Sequence, residues 1–281
     1  MTHTTLMSTS DLAERLNHPE LAVVDCRFML DDVDWGRRSY AEGHIPNAVY
    51  AHIDADMSGA KTGTNGRHPL PDAAELRATF SRLGIDATMQ VVTYDQDNGM
   101  FASRLWWLLR WMGHDAVAVL DGGLTQWMRE GRPVSLDVVE REPRSFSGAP
   151  RDGMLVHAAE VEARLGDASF RLVDARAPER YRGEVEPLDK VAGHIPGAFN
   201  HFYKNNLGAT GLFQSPAELR ALLGVVVVGD SAKDVVGYCG SGVTACHNLL
   251  ALEHAGLRGA RLYAGSWSEW SSDPARPVEV G

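Results

Sequence analysis

The chain has 281 residues, 44% of them hydrophobic, and a formal net charge of −10 at neutral pH. That length exceeds one domain of about 100–200 residues, and the acidic balance excludes a general basic footprint for nucleic acid or acidic membranes. The three cysteines, Cys26, Cys239 and Cys246, form no CxxC pair, which argues against a disulfide framework and a zinc knuckle, so no metal is expected.

The first residues, MTHTTLMSTSDLAERL, have neither the charged start nor the apolar run of a secretory signal, and no stretch is apolar enough to span a bilayer. A soluble cytoplasmic protein without a membrane partner is the expectation. LAVVDCR (21–27) reads as a buried β-strand, GHIPNA (43–48) follows, and Asp72 with Glu75 sets up a capped helix start before ELRATF. VVTYD then ends a second strand at Asp95, an amphipathic helix is expected over Ser103 to Met112, and VLDGGLTQW (119–127) closes the half.

From about Glu140 to Asp152 the chain, EREPRSFSGAPRD, is charged, rich in Pro, Gly and Ser and without apolar period, which marks an interdomain linker. Beyond it the first half recurs in order and at nearly constant separation. FRLVDAR (170–176) repeats LAVVDCR, GHIPGA (193–198) repeats GHIPNA, VVGYC repeats VVTYD, and LYAGSWSEW (262–270) repeats VLDGGLTQW. Ser215, Pro216 and Glu218 start the helix matching the one after Asp72. Short β-branched runs alternating with helices in both halves predict an α/β fold class, two duplicated domains each with a mainly parallel sheet flanked by helices. The expected division is 1–140, a linker at 141–152, and 153–281.

The segment VVGYCGSGVTACHNLLALEHAG reads as a buried strand, a tight turn with Gly240 and Gly242, and a helix starting near Val243 or Thr244. Cys239 then stands at the C-terminal end of a strand, where open α/β sheets bind ligands. Backbone N–H groups of Gly240, Gly242, Val243 and Thr244, with the helix dipole, would favour negative charge on the sulfur and hold an anionic leaving group. A phosphatase of the C-x5-R type needs an arginine six residues after the cysteine; Ala245 stands there. Asp95 takes the place of Cys239 in the first half, so that half should carry no sulfur, and Cys26 and Cys246 read as inert buried thiols. Asp25, Arg27, Asp174 and Arg176 recur in both halves and read as braces of the first βα turn.

YCGSGVTAC, GHIPGA and the first half's YDQDNGMFASRLWW and LDGG resemble the two-domain rhodanese-like sulfurtransferases over nearly the whole chain. The neutral CGSGVTA loop is similar to that of the 3-mercaptopyruvate type, whereas thiosulfate-preferring relatives more often carry basic residues after the cysteine. The resemblance implies that Cys239 attacks the donor's sulfur, pyruvate departs, and a persulfide passes its outer sulfur to a thiol, to cyanide or to a thioredoxin-like reducing protein, with no cofactor. It further implies a catalytic role for Ser241 and a relay joining it to His44 and an aspartate, for which Asp31, Asp32 and Asp34 compete. By the same resemblance, Arg180 binds the substrate carboxylate, and Met100 and Phe101 wall the pocket. The second substrate arginine of the family would fall where this chain has Asp189 and Lys190, so Lys190 or Arg182 is the expected substitute. The alternatives are a thiosulfate sulfurtransferase using the same persulfide, and a non-catalytic sulfur carrier or binding module.

Overall fold

A computed structural model describes residues 2–227, 229 and 231–281. The chain divides into two compact units. The first comprises Met1–Gly59, Pro71–Arg151 and Ala209–Leu212, the second Ala60–Leu70, Asp152–Gly208 and Phe213–Gly281.

Each unit is built on a five-stranded, all-parallel sheet. In the first, β1 (Leu6–Met7), β2 (Leu21–Asp25), β3 (Ala48–Tyr50), β4 (Gln90–Tyr94) and β5 (Val117–Leu120) lie in the order β1-β5-β4-β2-β3. The second repeats it with β6 (Leu155–Val156), β7 (Arg171–Asp174), β8 (Phe199–Asn200), β9 (Val235–Tyr238) and β10 (Arg261–Tyr263) in the order β6-β10-β9-β7-β8. The central strands are buried along their length and rich in Val and Leu, as strands covered by helices on both faces must be. In the second unit the chain leaves β7 toward β8 on one side and returns to β9 on the other. This reversal opens a crevice beyond the C-terminal ends of β7 and β9.

Both helix starts read from the sequence carry capping boxes, Asp72 with Glu75 before Ala73–Arg82 and Ser215 with Glu218 before Pro216–Leu223. The duplication extends to side-chain wiring. Arg27 Nε donates to both Asp25 oxygens and its Nη2 to the Gly43 carbonyl at 2.7 Å; Arg176 does the same with Asp174 and the Gly193 carbonyl at 2.7 Å. Each brace thus ties the end of a central strand to the glycine of the following GHIP motif. Trp127 and Trp270, both fully buried, donate equivalent indole bonds to Pro133 and Pro277.

The expected linker is packed onto the first unit. Phe146 is buried, with its ring edge-on to Phe80 at 5.0 Å, and Arg144 pairs with Asp86 at 2.7 Å. One anchored aromatic and an ion pair fix a stretch whose composition alone reads as free.

Candidate active site

Cys239 directly follows β9 and is 2% exposed. Its N–H donates to Ser266 Oγ at 3.1 Å, while its carbonyl and that of Gly240 accept from the N–H groups of Trp267 and Ser268, both at 2.9 Å. The loop is thereby clipped to the turn after β10. Gly242 has φ +76°, and a Cβ there would lie 2.3 Å from the Ala264 carbonyl oxygen, so both dihedral and space demand glycine. Helix Thr244–His254 begins at once, with Val243 at its N-cap and no side chain capping its first turn. The N–H groups at the start of that turn and the helix dipole place positive potential behind the loop. Cys246 Sγ donates to the Gly242 carbonyl at 3.3 Å and is fully buried.

The first unit shows what this loop shape does to an anion. Asp95 accepts from the N–H of Gly99 at 2.9 Å, Phe101 at 2.8 Å and Ala102 at 3.2 Å. Burial pushes its carboxyl above the usual range even though those three bonds pull the other way. Phe101 packs edge-on to Phe28 at 5.5 Å within its own unit, and Met100 is half-buried. Cys26 is fully buried, and burial first, then the carboxylates of Asp25, Asp95 and Asp56, push its thiol far up, away from reactive thiolate.

Ser241 Oγ lies 2.7 Å from His68 Nδ1, with both residues buried. His68 comes from Ala60–Leu70, a segment that belongs to the second unit although it interrupts the chain of the first. The expected partner, His44, is not the one: its Nδ1 is engaged by the Tyr40 carbonyl at 2.7 Å, its ring stacks on Tyr40 at 3.9 Å, and its buried Nε2 has no hydrogen-bond partner among the described residues. His194 repeats that arrangement with Tyr181 at 2.7 Å and 3.7 Å. The GHIP histidine is thus a packing element of both units, and with His44 the search for its aspartate among Asp31, Asp32 and Asp34 lapses.

Two guanidiniums reach the Cys239 loop. A Cβ on Gly240 would stand 2.7 Å from Arg67 Nη2 and 3.5 Å from both terminal nitrogens of Arg180. Arg180 lies on the short helix Pro178–Tyr181 after β7 and donates to Glu186 Oε1 at 2.7 Å, with Asp189 Oδ2 at 3.6 Å. Arg67 is bonded to Asp189 through Nη1, and its N–H donates to Ser268 Oγ at 3.0 Å. Burial would raise the Glu186 carboxyl, but Arg180 and the N–H groups of Leu188 and Asp189 outweigh it and hold it low. Lys190 is exposed, and Arg182 pairs with Glu184 at 2.7 Å. The second cation at the loop is therefore Arg67, which sequence reasoning missed, rather than Arg182 or Lys190. Among the described residues no group of acidic, His or Cys side chains could hold a metal ion, and no helix is long and apolar enough to cross a membrane.

The family described as Rhodanese-like domain matches residues 8–130 and 157–273. A protein of Pseudomonas aeruginosa named probable 3-mercaptopyruvate sulfurtransferase is 47% identical over 283 residues, covering 100% of each chain. The thiosulfate sulfurtransferase of Rattus norvegicus is 35% identical over 94% of this chain and 91% of its own. The crystal structure of SseA from Escherichia coli, a 3-mercaptopyruvate sulfotransferase, superposes with a TM-score of 0.82 at 30% identity, over 94% of this chain and 99% of that one.

Proposed function

The chain belongs to the rhodanese-like domain family, and from that premise and the geometry around Cys239 we infer a sulfurtransferase acting on 3-mercaptopyruvate. Cys239 Sγ attacks the donor's sulfur, an S–S bond forms, and the donor's C–S bond breaks with its electron pair passing to carbon. The resulting enolate takes a proton and leaves as pyruvate, and Cys239 keeps a persulfide whose outer sulfur goes to a thiol, cyanide or a thioredoxin-like acceptor. The observation that carries this reading is the buried Ser241–His68 pair at 2.7 Å beside a loop without basic residues. A donor whose leaving group is a carbon anion needs a proton supplied at that carbon, and a hydroxyl–imidazole couple delivers one. Arg180, with Arg67, supports recognition of the donor's carboxylate.

The two guanidiniums at the loop also suit a sulfonate, which favours thiosulfate as the second reading. Three unpaired cysteines fit a reducing compartment such as the cytoplasm. Measuring pyruvate release from 3-mercaptopyruvate beside cyanide-dependent turnover of thiosulfate decides between the donors. A strong preference for thiosulfate overturns the first reading, and failure of the intact protein to gain a sulfur atom from either donor overturns both.

A further inference from the structure

Arg67 and Arg180 beside Gly240 belong to an ion-pair network in which three guanidiniums, Arg67, Arg176 and Arg180, are linked to three carboxylates, Asp174, Glu186 and Asp189. Arg176 is consumed by the brace to Asp174 and by Glu186 at 3.2 Å. Glu186 is locked as well, because its Oε1 accepts from Arg180 and from the N–H of Leu188 at 3.1 Å and Asp189 at 3.2 Å. Asp189 is different. Its side chain is 7% exposed, one oxygen is bound to Arg67, and the other, Oδ2, is buried without a hydrogen bond, 3.6 Å from Arg180. A carboxylate thus bridges the two arginines that reach the reactive loop, held by one real bond and one long approach.

We propose that Arg67 and Arg180 together form the anion clamp for the donor's carboxylate and that Asp189 is its built-in competitor, setting how tightly that carboxylate is held. This rests on the sulfur-transfer reading above. A donor carboxylate entering between the guanidiniums meets a site already neutralised by Asp189, and gains the full fork-to-carboxylate interaction only as Asp189 yields Arg67. The competitor lowers affinity for every carboxylate that fits, product pyruvate included, so it speeds product departure at the expense of donor capture.

The test uses Asp189→Asn, Asp189→Ser, Arg67→Gln and the double variant Arg67→Gln/Asp189→Asn in the full chain, with melting curves establishing the folded fraction. Calorimetric titration with pyruvate reads the clamp without turnover, and steady-state pyruvate release reads KM for 3-mercaptopyruvate. Removing the competing charge should tighten pyruvate and lower KM by about threefold to tenfold, and Arg67→Gln should weaken both by about tenfold, the scale of one charged contact. In the double variant the gain from Asp189→Asn should shrink to the share due to Arg180, which approaches the other Asp189 oxygen at 3.6 Å. Unchanged or weaker pyruvate binding in both folded Asp189 variants overturns the proposal, as does a gain that is undiminished without Arg67. Failure of the sulfur-transfer reading has a separate signature: the unmodified protein releases no pyruvate, whatever the titrations show.

Discussion

His68 and His44 make the sharpest contrast this chain offers, because each is a buried imidazole and only one is bonded to the hydroxyl beside Cys239. His68→Ala removes the partner of Ser241 Oγ at 2.7 Å, and loss of positioned proton transfer slows reactions by roughly 10²–10⁴-fold, equivalent to about 3–5 kcal/mol of barrier. His44→Ala instead removes a hydrogen bond to Tyr40 and a stacked ring at 3.9 Å. Those are together worth about 1–3 kcal/mol of folding stability, with a cavity cost added. Urea titration should therefore show His44→Ala shifted to a lower midpoint while its kcat per folded molecule stays within about threefold, a change below one tenfold step in barrier. Rapid-quench measurement of pyruvate release should show the His68→Ala defect in the first turnover. Equal kinetic losses in the two variants, or a His68→Ala enzyme within threefold of the parent, a difference of less than about 1 kcal/mol, would refute the assignment of proton transfer to the Ser241–His68 pair.

Other outcomes follow from the same geometry. Gly242→Ala drives a Cβ to 2.3 Å from the Ala264 carbonyl oxygen and imposes about 1–2 kcal/mol of left-handed strain, so sulfur loading of Cys239, read by intact mass, should collapse; normal loading would show the cradle to be more yielding than drawn. Asp95→Ala strands the N–H groups of Gly99, Phe101 and Ala102 and should cost about 2–4 kcal/mol of stability while leaving loading per folded molecule intact; a loss of loading would give the first unit a chemical role. Acid should destabilise the protein in two stages. Burial holds His114 and His201 below their ordinary 6.5, so the unfolded chain binds their protons first and stability falls as pH drops below that value. Bonds from Thr88 and then Arg144 hold Asp86 at about 2, and bonds from Thr9, Gln126 and Arg132 hold Glu130 at about 2. Their contribution is present above the ordinary values of 3.8 and 4.5 and drains away as pH falls toward 2. Denaturation midpoints that stay level between pH 7 and pH 3 would contradict both stages.

The duplicated sheets, the capped helices and the strand, turn and helix around Cys239 are legible in the sequence because each rests on local pattern: β-branched runs, a serine or aspartate before a glutamate, glycines at a sharp turn. The braces Asp25–Arg27 and Asp174–Arg176 are legible because they occur twice. The family resemblance misdirects at His44, whereas the duplication that sets His194 in the same motif points to what both units need, which is packing. Arg67 and His68 lie in AKTGTNGRHPL, a stretch with no apolar period; its start, after Gly59, matches GATG (208–211) in the second half, but the arginine and histidine themselves fall among residues that half lacks. Their meaning depends on a tertiary association with residues far along the chain, which no local pattern encodes. The one available signal was an arginine and a histidine with no match in the second half, in a loop otherwise short of apolar residues.

Ala60–Leu70 groups with the second unit while its neighbours on both sides group with the first. A gene divided at the junction between Arg151 and Asp152 would yield a C-terminal product with Cys239, Ser241 and Arg180 but without Arg67 and His68. The two halves are therefore not interchangeable modules: the half that carries Cys239 takes Arg67 and His68 from eleven residues encoded on the far side of the seam.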